Sequence, residues 1–371
     1  MSYYDIYLKY KGLTFEKLFN NILSQDVETA IEDERQSESQ LLALLSPIAE
    51  NYLEDMAQKA HNLTLRHFGK TIQLYTPMYL SNYCENECVY CGFNSKNTFA
   101  RKKLSLEEVE KEAAFISSSG LKHILVLTGD SREQSPPDYI KKCIGILRNH
   151  FSSISLEIYV LTEEEYAMMV AEGVDGLSIY QETYDEALYD TVHVAGPKKD
   201  YLFRLDAPER AAKGGIRSVN VGVLLGLCDD WRKDVFLMGL HAYYLQDKFP
   251  DVEIGVSLPR LRPCEGGFSI PAGVSDKEFA QTIMALRIFL PRLAIALSTR
   301  ENSALREALL PLGITCMSAG SSTRVGGHTA RSQKEMNVGQ FEISDKRGID
   351  EIKAMVSRKG YQPVLKDWMY I

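Results

Sequence analysis

From residue 72 onward, short apolar runs rich in β-formers alternate with amphipathic helical stretches, and this alternation restricts the fold more than any other feature of the chain. The runs are IQLYTPMYL, HILVLT, SLEIYVL, GLSIYQ, SVNVGVLLGL, EIGVSLPRL, RLAIALST and ITCMSAG. Helical stretches such as SLEEVEKEAAFISSSG, PPDYIKKCIGILRNH, TEEEYAMMVAEG and SDKEFAQTIMALRIFL separate them. Strands that are apolar almost throughout belong to parallel sheets covered on both faces. Eight strand–helix units predict an α/β fold closed into a (β/α)8 TIM-type barrel, with an open doubly wound sheet as the alternative. Residues 1–70 read as an N-terminal helical extension, because residues 41–69 place apolar side chains three and four apart until Gly69 ends the pattern. No low-complexity linker divides residues 71–371, which are taken as one catalytic unit.

In such a barrel, chemistry gathers at the C-terminal ends of the strands. The residues expected there include Cys84 to Cys91 after the first strand, Thr128 to Asp130 after the second, and Glu157 and Tyr159 on the third. Tyr180 to Tyr184 follow the fourth, Cys228 to Trp231 the fifth, Arg260 and Arg262 the sixth, Ser298 to Arg300 the seventh, and Ser318 to Thr323 the eighth.

A chain of 371 residues buries enough surface to need no disulfide or structural metal for its core, so its seven cysteines call for another explanation. Cys84, Cys88 and Cys91 form a Cys-x3-Cys-x2-Cys loop, while Cys143, Cys228, Cys264 and Cys316 are scattered and read as small buried hydrophobes. Three thiolates fit a 4Fe-4S cluster with one iron left open to a substrate or cofactor. The alternative is a zinc site completed by a distant residue such as His123 or His193. With 42 Lys and Arg against 50 Asp and Glu, the net charge of −8 provides no basic field for nucleic acid. No apolar run is long enough to span a bilayer, and the N-terminus lacks the order of a secretory signal, so a cytoplasmic, reducing compartment is expected.

The cysteine loop at the end of a first barrel strand, with Tyr90 before the third cysteine, resembles the radical S-adenosylmethionine (SAM) superfamily. The resemblance implies one 4Fe-4S cluster on Cys84, Cys88 and Cys91, whose open iron chelates SAM. SAM is then cleaved to methionine and a 5'-deoxyadenosyl radical. It also implies that Tyr90 lies along the adenine, that Gly129 and Asp130 meet the methionine amino group, that Glu157 reaches the ribose or methionyl part, and that Arg204 takes the SAM carboxylate. The superfamily usually has Glu where this chain has the shorter Asp130. Asp130 also reads as a turn residue, and Arg204 as a surface ion pair.

The resemblance narrows over the chain from residue 40 to the end. LLALLSP, PMYLSNYCENECVYCGF, YQETY, VSLPRLRPC, LSTRE, VGGH and the closing KDW resemble the 2-iminoacetate synthases, tyrosine lyases of anaerobic thiamine biosynthesis with a C-terminal biotin/thiamine-synthesis-associated region. The implied reaction converts L-tyrosine and SAM to 2-iminoacetate (dehydroglycine), 4-cresol, 5'-deoxyadenosine and methionine. In it Arg300 and Ser318, with Ser321 in support, hold the amino-acid carboxylate. Implied partners are an electron donor such as flavodoxin or ferredoxin and a thiazole synthase that accepts the imine. The alternatives are a radical SAM lyase of another aromatic amino acid and a hydrogenase-maturation-type tyrosine lyase lacking the second cluster. After Cys91 no two cysteines lie closer than Cys228 and Cys264, which argues against a second cluster loop.

Overall fold

All eight expected strands form. In the computed structural model, which describes residues 2–269, 271, 273–330 and 338–366, they are β1 (Thr71–Ser81), β2 (His123–Thr128), β3 (Ser153–Glu157), β4 (Gly176–Glu182), β5 (Ser218–Val223), β6 (Glu253–Ser257), β7 (Ala294–Leu297) and β8 (Cys316–Ser318). Each pairs in parallel with the next, and β1 pairs with both β2 and β8, so the sheet closes into a barrel. The open-sheet alternative is thereby set aside. A ninth strand, β9 (Gln362–Val364), additional to the eight expected from the sequence, pairs with Thr71–Gln73 at the start of β1. β3 begins and ends earlier than its apolar run, so Tyr159 lies beyond the strand. Asp367 and Trp368 of the KDW motif lie outside the described residues.

Helix starts are written into the sequence as reciprocal caps. Ser105 with Glu108, Thr162 with Glu165, and Ser275 with Glu278 each form a capping box at the head of a barrel helix. These caps satisfy backbone N–H groups that the first helical turn leaves without partners. The N-terminal helices Glu38–Leu45 and Leu53–Phe68 pack against the barrel helix Asp276–Phe289. There the buried Gln281 amide donates to the Leu44 and Ser46 carbonyls at 2.9 Å each. Among the described residues, no helix is long and apolar enough to cross a membrane.

One buried ion pair ties the C-terminal region to the barrel mouth. The Arg306 guanidinium donates to the Asp345 carboxylate at 2.5 Å and to the carbonyl of Ser318, the last residue of β8, at 2.5 Å. Arg347 shares the same carboxylate at 2.8 Å. Removing Arg306 leaves Asp345 to Arg347 alone and takes the side-chain donor from the buried Ser318 carbonyl. Arg306→Ala should therefore lower unfolding free energy by about 1–3 kcal/mol in urea titration. Arg148→Ala, which removes an exposed pair to Glu172, should change it by about 1 kcal/mol or less.

Candidate active site

The loop after β1 is held from inside by a cation. The Arg101 guanidinium donates to the carbonyls of Asn82 at 2.7 Å, Phe93 at 2.8 Å and Asn94 at 2.6 Å, which curls residues 82–101 around it. From outside, Glu85 N–H donates to the Asp130 carbonyl at 2.8 Å, Glu87 N–H to Ala195 at 2.9 Å and Val89 N–H to Val192 at 3.1 Å. Gly129 permits the first of these contacts, since a Cβ there would sit 2.3 Å from the Tyr83 carbonyl oxygen. The loop then presents Cys84, Cys88 and Cys91 to one cavity, shared with Tyr90, Gly129, Asp130, Glu157, Glu182, Lys198 and Arg300.

Both histidines named for the zinc alternative are otherwise engaged. His193 Nε2 meets the Tyr90 hydroxyl at 2.6 Å and its Nδ1 meets the Tyr189 carbonyl at 2.9 Å. His123 lies towards the opposite end of the barrel, against Gln73 at 3.1 Å and Ser155 at 3.2 Å. Among the described residues no set of three His, Cys, Asp or Glu side chains is arranged for a single metal ion. Three cysteines around one cavity fit a larger cluster better than one zinc. Burial pushes the Cys84 thiol up to about 12 and raises Cys88 and Cys91 as well, and a metal bound to such thiols would deprotonate them.

The other expected SAM contacts are distributed around this cavity. Tyr90 and Gly129 line it directly. One Asp130 oxygen accepts from Asn86 Nδ2 at 2.7 Å, which binds Asp130 to the cysteine loop. Arg204 is buried, not a surface ion pair: its Nε donates to the Tyr180 carbonyl at 2.7 Å, and it lines an adjoining cleft with Asp130 and Lys198. The Thr128 hydroxyl, buried on the cavity wall, has no partner among the described residues. Thiols, a glycine cradle, cations and an unpaired hydroxyl together suit a cluster carrying a zwitterionic cofactor.

A second cavity adjoins the first, sharing Glu157, Tyr180, Pro259, Arg300 and Phe341 with it. Leu125, Leu127, Leu258, Leu297 and Phe279 give it apolar walls. Arg300, at its edge, lies over the Phe341 ring 3.4 Å from the centroid, and among the described residues no carboxylate forms a salt bridge with it. The Ser318 and Ser321 hydroxyl oxygens line the same cavity; Ser318 lies beside the Tyr75 hydroxyl, and the buried Ser321 hydroxyl has no hydrogen-bond partner among the described residues. Arg300, Ser318 and Ser321 thus face one cavity. Arg260, by contrast, is a rim residue paired with Glu301 and with Asp276 at 2.8 Å. His328 is structural, its Nε2 meeting the Pro77 carbonyl at 2.9 Å.

Four further residues belong to the site. Glu182 sits at a register shift between β4 and β5 with φ of 70°, a backbone conformation that non-glycine residues seldom adopt. It pairs with Lys198 Nζ at 2.6 Å, both side chains 11% exposed. Glu182 belongs to the YQETY motif, whereas Lys198, Gln340 and Phe341 carry no motif signal. Burial and the Glu182 charge push Glu157 up to about 7, while at Glu182 the cations Lys198 and Arg204 overcome burial and hold the carboxyl low. Two carboxylates in one site are thereby driven apart in acidity.

The chain matches the Radical SAM superfamily over residues 78–238 and the Biotin and Thiamin Synthesis associated domain over residues 257–362. It is 39% identical over 364 residues to the 2-iminoacetate synthase of Escherichia coli (strain K12), covering 98% of this chain and 93% of that protein. It resembles the crystal structure of HydG, a maturase of the FeFe-hydrogenase, with a TM-score of 0.88 and 34% identity over 95% of this chain and 78% of that one. Methylornithine synthase (PylB) shares the fold, with a TM-score of 0.73 and 21% identity over 91% of this chain and 97% of that one.

The raised Glu157 has a measurable consequence for stability. Between its ordinary 4.5 and about 7 the unfolded chain has released this proton while the folded chain keeps it, so stability from this group is full below 4.5 and falls as pH rises through about 7. Glu157→Gln should flatten the decline, and urea midpoints on either side of that window will show it against the parent chain.

Proposed function

The chain belongs to the 2-iminoacetate synthase family of the radical SAM superfamily, and on that footing we propose that it cleaves the Cα–Cβ bond of L-tyrosine to 2-iminoacetate and 4-cresol, with SAM giving 5'-deoxyadenosine and methionine, for the thiazole moiety of thiamine. The observation that carries this reading is the pair of adjoining cavities, one ringed by the three cysteines and the other holding Arg300 with the Ser318 and Ser321 hydroxyls. Cys84, Cys88 and Cys91 hold a 4Fe-4S cluster. Tyr90, Gly129, Asp130 and Glu157 contact SAM, and Arg204 with Lys198 provides positive charge for its carboxylate. When bound, the cluster and SAM supply a one-electron reductive cleavage that yields a hydrogen-abstracting radical.

The protein's own contribution is placement. A guanidinium pairs with a carboxylate through parallel hydrogen bonds and stays charged in a dry cavity, which suits Arg300 to the amino-acid carboxylate. Ser318 and Ser321 add hydroxyl donors on the same side. The apolar walls receive the aromatic ring and exclude water. Carboxylate pairing and ring burial together turn the amino group towards the neighbouring cavity. Such alignment is the main way a protein speeds a reaction whose bond-breaking chemistry belongs to its cofactor.

A 2-iminoacetate released to water hydrolyses, which supports a thiazole synthase as recipient, and the one-electron step calls for a donor of the flavodoxin or ferredoxin type. The reading as a hydrogenase-maturation-type lyase is less well supported, because identity is 39% to the 2-iminoacetate synthase and 34% to HydG, and the four remaining cysteines, dispersed through the chain, form no second cluster loop. Cys143 is buried on the helix Pro137–Leu147, Cys264 meets the Tyr90 carbonyl at 3.2 Å, Cys316 starts β8 and Cys228 follows β5.

After anoxic purification and reconstitution, the chain should hold iron and sulfide and form 4-cresol from tyrosine; zinc in their place, or another aromatic amino acid as the source of product, would sink the reading. Arg300→Ala should raise the tyrosine requirement roughly tenfold to a hundredfold, the worth of a hydrogen-bonded charge, while leaving cluster absorption intact. Cys88→Ala should abolish cluster and products together.

A further inference from the structure

Gln340 reaches the cysteine loop from the far end of the chain, 249 residues from Cys91. Its backbone is pinned on both sides: its N–H donates to the Thr323 carbonyl at 3.1 Å, and its own carbonyl accepts from Gly92 N–H at 3.0 Å. The approach is possible only because residue 92 is glycine, since a Cβ there would lie 2.8 Å from the Gln340 carbonyl oxygen and 2.6 Å from that of Gly339. At the side chain, Oε1 accepts from the Tyr79 hydroxyl at 2.7 Å, and Nε2 points at Cys91 Sγ, 3.9 Å away. The reverse amide orientation would set oxygen lone pairs against sulfur, and a thiolate can only accept.

We infer that Gln340 is a positioning residue that donates an N–H hydrogen bond to the Cys91 thiolate and thereby holds the reduction potential of the bound cluster up. This rests on the reading that Cys91 is a cluster ligand. One-electron reduction adds negative charge to the iron and sulfur atoms, so a donor aimed at a ligand sulfur stabilises the reduced cluster more than the oxidised one. Tyr79, on β1, fixes the amide plane and so keeps the donor aimed.

The test is an EPR-monitored redox titration of the anoxically reconstituted full chain without tyrosine. Gln340→Leu, similar in size and without a donor, should keep the parent's iron content while its midpoint moves negative. At a fixed potential its reduced-to-oxidised ratio should fall by about threefold to tenfold, the larger figure being roughly 59 mV for one electron. An unchanged midpoint with the cluster assembled would overturn the inference. If the leucine variant assembles no cluster, Tyr79→Phe provides the readout: a smaller negative shift is expected, and no shift overturns the inference equally. Cys91→Ala separates the two layers, because a variant that keeps the parent's cluster signal refutes the ligand assignment and not the hydrogen-bond argument alone.

Discussion

Barrel closure through β1 is the constraint on which the rest of the molecule depends. This eleven-residue strand pairs with β8 on one side and with β9 and then β2 on the other, so its hydrogen-bonding edges are used along most of its length. Because β1 is fixed on both sides, the chain leaves its C-terminal end in one direction, and the cysteine loop begins there. The same strand supplies Tyr79 to the Gln340 amide and Tyr75 and Pro77 to the wall of the inner cavity.

Charge inside the loops does what the strands cannot. Arg101 organises the cysteine loop through carbonyls, Arg306 and Asp345 bind the C-terminal segment to the end of β8, and Lys198 pairs with Glu182 beside the thiols. Each cation lies where irregular backbone or a buried carboxylate would otherwise lack a partner, and breaking such an arrangement costs more than the pair contributes by itself. Arg300 is different: it lies against an aromatic face and forms no salt bridge among the described residues.

Residues 340 and 341 connect the two cavities. Gln340 faces the Cys91 sulfur and Phe341 lies under the Arg300 guanidinium, so one dipeptide from the C-terminal region touches both. Glu157 and Glu182 face the same space with acidities pushed in opposite directions, Glu157 by burial and its neighbour's charge and Glu182 by two cations.

What the sequence determined by itself is local or periodic. Apolar period and capping boxes specified eight strands and their helices, and the spacing of Cys84, Cys88 and Cys91 specified a three-thiol loop, because both kinds of information lie within a few residues. The placement of Arg300, Ser318 and Ser321 at or past strand ends was also legible, since it follows from where the apolar runs stop. The tertiary structure alone decided the remainder: that Arg204 is buried against Tyr180, that His193 is spent on Tyr90 and unavailable as a ligand, that Lys198 neutralises Glu182, and that Gln340 reaches Cys91. These are contacts between residues far apart in the chain, and no local pattern encodes them, because closing the barrel is what brings their loops onto one face.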